Sequence, residues 1–344
     1  MNKYFLAKEK LPRLFELIMA DSCLVAPRQI SGHRYLFAPV LQAEEVALDY
    51  TNSHLPPKNY LFPQTQAMFL FQQGEGELRI SPAGAASRTV LWGIRPCDLQ
   101  AINALDPVFF GDYPDPLYRQ KRENTLLVGQ ACDRPAAQCF CSTFGYGPDS
   151  SAGADIMLYP CTGGFLIAAF SPRGEEALAS WQPLLLPVRP EQEQEVGQTL
   201  AVASQAVKKL DLNGVKEWLD KNFQSPYWTE LARRCLGCGI CTYSCPTCHC
   251  FDIFDYSRKQ EEGVRYRGWD SCMFADFTLM AGGHNPRPDR AARLRNRFMH
   301  KLKYHLDRYN LAGCTGCGRC VRLCPVNIDI REIISDLKEV ATRE

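Results

Sequence analysis

One spacing of cysteines occurs twice near the end of this chain. Cys235, Cys238, Cys241 and Cys245, with Pro246 behind them, read C-x2-C-x2-C-x3-C-P, and Cys314, Cys317, Cys320 and Cys324 before Pro325 repeat it. Three thiolates this close in sequence wrap one cubane from a single tight loop, where glycines let backbone N–H groups approach the sulfurs. The fourth, past a further turn, ligates the other cluster. The pattern therefore predicts two [4Fe–4S] clusters. Cys235, Cys238, Cys241 and Cys324 would hold one; Cys314, Cys317, Cys320 and Cys245 would hold the other. The bland alternative is zinc, but zinc sites pair two C-x2-C knuckles across a longer gap.

The remaining cysteines point the same way. There are seventeen in 344 residues, and the N-terminus has no apolar signal-peptide core, so reduced thiols and metal are expected rather than disulfides. No apolar run approaches the about 18 residues that span a bilayer. A net charge of +1 gives no global field for nucleic acid or an anionic membrane. The expected setting is the cytoplasm, with no membrane and no nucleic acid among the partners.

The first two-thirds alternates strand-like and helix-like stretches. YLFAPV from Tyr35, AMFLF from Ala67, TVLWGI from Thr89, TLLVG from Thr125 and FLIAAF from Phe165 are expected strands. DLQAINALD, with Asp98 as its N-cap, Glu191 to about Lys209, and DLNGVKEWLDKNF are expected helices. The polar PVRPEQEQEVGQ from Pro187 reads as a segment leaving the core. Near Ser225-Pro226 the apolar β-like runs stop, and cysteine, arginine and glycine take over. The expected organisation is an α/β domain over 1–225 and an α-helical dicluster ferredoxin domain over 226–344. Sixty-eight residues part Cys245 from Cys314, and much of that gap reads as helical. This arrangement is similar to the helical ferredoxin domains of electron-transfer subunits.

Four more cysteines sit where an α/β sheet collects ligands. Cys97 follows the TVLWGI strand; Cys132 follows TLLVGQ, with Cys139 and Cys141 in the same loop. Loops beyond the carboxyl ends of strands form such sites, and four thiols suffice for a third [4Fe–4S] cluster. N–H groups of the helix opening at Asp98 would face the anionic cluster. Buried packing or zinc is the alternative.

IRPCDLQAI, ACDRPAAQCFC, CLGCGICTYSCPTCHCFD, GWDSCMF, AGGHNPR and CTGCGRCVRLCP together resemble one family, from about residue 55 to about 330. It is the iron–sulfur subunit family shared by sulfhydrogenase-type nickel–iron hydrogenases, where it is the beta subunit, and by anaerobic sulfite reductase. Related subunits accompany heterodisulfide-reductase-like complexes. The resemblance implies a non-catalytic electron-transfer subunit in a hetero-oligomer. It would stand between a flavoprotein subunit of the ferredoxin–NAD(P) reductase type and a catalytic redox subunit. The resemblance also implies more clusters than the two motifs explain, with Cys97, Cys132, Cys139 and Cys141 matching.

Cys248, Cys250 and Cys272 are left over. They read as packing around the first motif that tunes its potential, or as a site where the chain itself reduces disulfide or sulfur. His249 reads as a packed or exposed histidine. Arg293, Arg297 and Lys301 share a helical face. They would compensate negative clusters, dock an acidic partner, bind nucleic acid, or simply be solvated. Gly282-Gly283-His284 and Gly74-Glu75-Gly76 lack the strand–helix context of a nucleotide-binding loop, so any flavin or NAD site belongs on a partner.

Overall fold

The computed structural model describes residues 3–74, 77–84, 86–259 and 261–343; Glu75 and Gly76 of the first glycine-rich stretch lie outside them. Twelve strands among these residues make two sheets. In chain order they are β1 (Lys3–Ala7), β2 (Cys23–Ser31), β3 (Arg34–Pro39), β4 (Thr65–Gln73), β5 (Leu78–Pro82) and β6 (Thr89–Ile94). Then come β7 (Thr125–Gln130), β8 (Ile156–Cys161), β9 (Gly164–Ala169), β10 (Leu186–Pro187), β11 (Phe251–Lys259) and β12 (Glu262–Trp269).

The larger sheet runs β10-β1-β9-β8-β7-β6-β2-β3. Its centre, β2, β6, β7 and β8, is parallel. A parallel strand buried on both faces is apolar at nearly every position, and TVLWGI shows why. Val90 and Trp92 enter the core on one face; Leu91 and Ile94 enter the core on the other. The helix Leu11–Met19 covers the first face with Leu11, Leu14, Phe15 and Ile18. The helix Pro96–Phe109 covers the second with Leu99, Ile102, Leu105 and Phe109. Phe15 meets Trp92 edge-to-face at 5.1 Å, the preferred aromatic geometry.

All five expected strands are present, and the expected helices appear as Pro96–Phe109, Pro190–Ala206 and Val215–Lys221. Three expectations differ from the structure, two of them local. The helix after β6 begins at Pro96 with Arg95 before it, so Asp98 is not its N-cap but a buried residue of the first turn. Pro96 has no N–H, and the Asp98 N–H goes to the Arg95 carbonyl at 2.8 Å, so that terminus offers an anion less than expected. The segment from Pro187 does not leave the core: β10 pairs with β1, and Gln192 and Val196 are buried in the next helix.

The third correction is architectural. The stretch after residue 225 is not all-helical: β11 and β12 form a hairpin between the two cysteine motifs, and β12 pairs antiparallel with β4. The smaller sheet, β11-β12-β4-β5, thus joins strands from both sides of residue 225. Arg267 of β12 is buried. It pairs with Asp115, donates to Gln66 Oε1 at 2.7 Å, and lies 5.0 Å over the Phe62 ring. Helices do dominate the rest, around a core built on Trp218, Trp228, Phe298 and Ile333.

Candidate metal centres

The two motifs build the same loop. Gly237 and Gly239 in the first, Gly316 and Gly318 in the second, have φ of 69°, 76°, 61° and 72°, a region that costs glycine little and other residues much. Each loop ends in a short helix, Ile240–Tyr243 or Arg319–Leu323, that carries the third cysteine. The curled backbone aims N–H groups at sulfur. Gly237 N–H lies 3.3 Å from Cys235 Sγ, Gly316 N–H 3.5 Å from Cys314 Sγ, and Ile328 N–H 3.3 Å from Cys324 Sγ.

The chain brings these cysteines together in crossed sets. Cys235, Cys238, Cys241 and Cys324 wall a single cavity, which Cys320 of the second motif also lines. Cys314, Cys317, Cys320 and Cys245 form the neighbouring group, within each other's electrostatic reach. Among the described residues no three His, Cys, Asp or Glu side chains converge tightly enough for a single metal ion. A cubane's ligands stand at the corners of a larger body, so thiols that surround a space fit it. Burial pushes the Cys241, Cys314, Cys317 and Cys320 thiols up, Cys320 to about 12, with its cysteine neighbours adding to the rise. Bound iron would offset that cost, because a coordinated thiol is deprotonated outright.

Positive charge is placed inside this arrangement. Arg297, 4% exposed, lies near the end of the helix Arg290–Met299, and Lys301, 2% exposed, follows in a π-helical turn, His300–Tyr304. Although burial opposes their charge, Arg297 is held protonated by Cys241, Cys320, Cys248 and Cys245, and Lys301 by Cys245, Cys248 and Cys314. The solvated-face reading therefore fails for Arg297 and Lys301, which face the cysteine groups as compensating charge; Arg293 is buried too, but donates to the Arg287 and Pro288 carbonyls. Lys301 Nζ also donates to Thr247 Oγ1 at 2.7 Å, and that hydroxyl lies 3.2 Å from Cys245 Sγ. Sequence reasoning missed Lys58, a buried amine that donates to the Cys248 carbonyl and lies 4.0 Å over the Trp269 ring. Burial lowers it to about 8.

The four N-terminal cysteines meet as well. Because β6 and β7 are parallel neighbours, their following loops lie side by side, tied by Arg95 Nη1 donating to the Ala131 carbonyl at 2.6 Å. Burial raises Cys132 to about 11 and Cys141 to about 12, and Cys139 adds to both. Cys97 is raised by burial, then by Asp98, and it also feels Cys317 and Cys132. This group touches the second motif. Phe140 N–H donates to the Gly316 carbonyl at 2.9 Å, and a Cβ on Gly316 would lie 2.5 Å from the Cys141 nitrogen. The Tyr146 and Thr315 hydroxyls are buried and face one another with no further partner, so at least one of their two O–H groups lacks an acceptor, and Tyr146 lies near Cys314, Cys97 and Cys141. A buried hydroxyl without an acceptor costs about 1–3 kcal/mol. Inorganic sulfide between these cysteines would supply one, so the residues fit a cluster.

One ion pair links this region to the motif. Arg319, the residue before Cys320, donates to both Asp98 carboxylate oxygens at 2.6 and 2.7 Å, and to the Ser53 carbonyl and hydroxyl at 2.8 Å. Arg319 is 0% and Asp98 1% exposed. Asn52 Nδ2 donates to the Cys317 carbonyl at 2.9 Å. No local sequence signal predicts a pairing across such a separation.

Cys248 lies against Cys245, whose thiol it holds below the usual range by donating its S–H. Cys250 and Cys272 meet one another. His249 packs between Phe109 and His300, with ring centroids at 6.3 and 5.2 Å, and burial lowers it to about 4. Of the two expected readings, packed or exposed, it is packed.

Residues 234–328 match the family described as a 4Fe-4S dicluster domain. The whole chain is similar to sulfhydrogenase 2 subunit beta of Pyrococcus furiosus, 35% identical over 337 residues that cover 97% of this chain and 98% of that protein. The likeness extends into the N-terminal 50 residues, where no motif signals it. This chain belongs to the sulfhydrogenase beta-subunit family of iron–sulfur electron-transfer subunits.

Proposed function

We propose that this chain is a relay of three [4Fe–4S] clusters within a hetero-oligomeric redox complex of the cytoplasm. It would carry electrons between a flavin- and NAD(P)-binding subunit of the ferredoxin–NAD(P) reductase type and a catalytic subunit. Hydrogenase is the favoured catalytic class, because the curated relative is a sulfhydrogenase subunit; sulfite-reductase and heterodisulfide-reductase-like partners remain the alternatives. Among the described residues no helix is long and apolar enough to cross a membrane.

The single observation that carries this reading is the continuity of the three cysteine groups. When bound, each cluster takes up and passes on one electron. Cys235, Cys238, Cys241 and Cys324 hold the first, Cys314, Cys317, Cys320 and Cys245 the second, and Cys97, Cys132, Cys139 and Cys141 the third. Arg297 lies between the first two groups, near Cys241 and Cys320. Tyr146, with the Arg319–Asp98 pair, lies between the second and third. The line has accessible ends. Cys238 is exposed with Leu236 and Ile240 beside it, and Cys132 and Cys139 are half-buried at the other end. No side chain needs to act as acid, base or nucleophile.

Serine at Cys97 or Cys141 tests the third centre. The expected result is loss of about a third of the iron, while the spectroscopic signals of the other two clusters persist. Unchanged iron in both variants would leave the N-terminal thiols as packing and return the relay to two clusters.

A further inference from the structure

Cys250 and Cys272 have no part in the relay, yet their placement is particular. Cys250 stands just before β11 and Cys272 shortly after β12, at the open end of the hairpin. There the Asp270 N–H donates to the Cys250 carbonyl at 3.0 Å. The sulfur of Cys250 accepts from both the thiol and the backbone N–H of Cys272. Two facing thiols at the mouth of a two-stranded ladder are held by the backbone itself, so they meet without large rearrangement. Both pack into the core beneath the motifs, Cys272 buried and Cys250 half-buried. Cys272 also lies within reach of Cys248 and of Arg297, the residue that faces Cys241 and Cys320.

We propose that Cys250 and Cys272 form a reversible dithiol–disulfide couple, a two-electron store wired to the relay. In oxidation the Cys272 S–H bond breaks and its sulfur joins the Cys250 thiolate in one Sγ–Sγ bond. The two electrons leave one at a time to oxidised clusters, and the single proton from Cys272 leaves to water past the half-buried Cys250. Reduction reverses each step, with electrons drawn from the relay. The surroundings suit the chemistry. The donated S–H and N–H of Cys272 hold the Cys250 thiol below its usual range, to about 6, and thiolate is the form that exchanges. Lys301 and Lys58 add positive charge nearby. Such a store would let a one-electron relay serve a two-electron donor and acceptor without dwelling on a half-reduced state. The couple rests on the relay reading only for its source of electrons.

The test uses the full-length, cluster-loaded protein equilibrated without oxygen in mixtures of reduced and oxidised dithiothreitol, then alkylated and digested. The expected product in oxidising mixtures is a linked Cys250–Cys272 peptide. It should disappear in reducing ones, with iron content constant throughout. Reductive titration gives a second readout: the oxidised wild type should take up two more electrons per chain than Cys272→Ser or Cys250→Ser. That difference tests the couple, whereas the absolute electron count of the variants tests the relay. Equal uptake by wild type and variants, or no linked peptide at any ratio, overturns the proposal. So does iron lost in step with either substitution, which would make the pair cluster ligands.

Discussion

Arg319→Met should destabilise the loaded protein by about 3–5 kcal/mol, the usual cost of leaving one member of a buried ion pair without its partner. The arginine is completely enclosed, and its loss leaves Asp98 charged in a site with no other route to water. Four donated hydrogen bonds disappear together, two to Asp98 and two to Ser53. The damage would concentrate where the helix after β6 meets the second motif, loosening Cys97 against Cys317. The check is the denaturant midpoint of holo-protein. The double variant Arg319→Met with Asp98→Leu should recover most of the loss, since apolar replacement of a whole buried pair is often neutral or stabilising. A single variant as stable as wild type would show that the pair does not join these two parts.

Arg297→Met and Lys301→Met are expected to lower the reduction potentials of the two clusters nearest them. The sign follows from charge. Reduction adds an electron, and a buried cation beside the cluster favours the reduced form, so its removal makes reduction harder. A unit charge at about 6 Å in an effective dielectric of about 20 contributes about 3 kcal/mol. That corresponds to on the order of 100 mV for a one-electron couple. Lys303 is the control. It is paired with Asp220 and Asp307 at the periphery, so Lys303→Met should leave the potentials where they are. A redox titration followed by electron paramagnetic resonance reads all three variants. Unchanged or raised potentials in Arg297→Met and Lys301→Met would mean that these cations do not face the clusters.

Much of this was legible in the chain because the signals were local. TVLWGI and TLLVG are apolar throughout, as central parallel strands must be, and their cysteines fall in the following loops by register alone. The two C-x2-C-x2-C-x3-C-P loops announce their own geometry through paired glycines. The β11–β12 hairpin escaped because β11 is exposed along both faces: FDIFDYS mixes apolar and acidic residues with no buried side to betray it. Exposure also explains β5, all of whose residues lie open. The buried cations were half legible. Spacing put Arg293, Arg297 and Lys301 on one face, but only tertiary packing shows that this face points inward. The links that hold the N-terminal cysteines to the second motif, Arg319 to Asp98 and Phe140 to Gly316, join residues far apart in sequence. No window along a chain contains them.

Iron and acid-labile sulfide per chain, measured on protein purified without oxygen, test the three-cluster relay most directly. The expected result is about 12 of each, four for every cluster, with all three reducible. A value of about 8 of each in fully loaded protein would contradict it, leaving two clusters in the crossed ferredoxin motifs and none among Cys97, Cys132, Cys139 and Cys141.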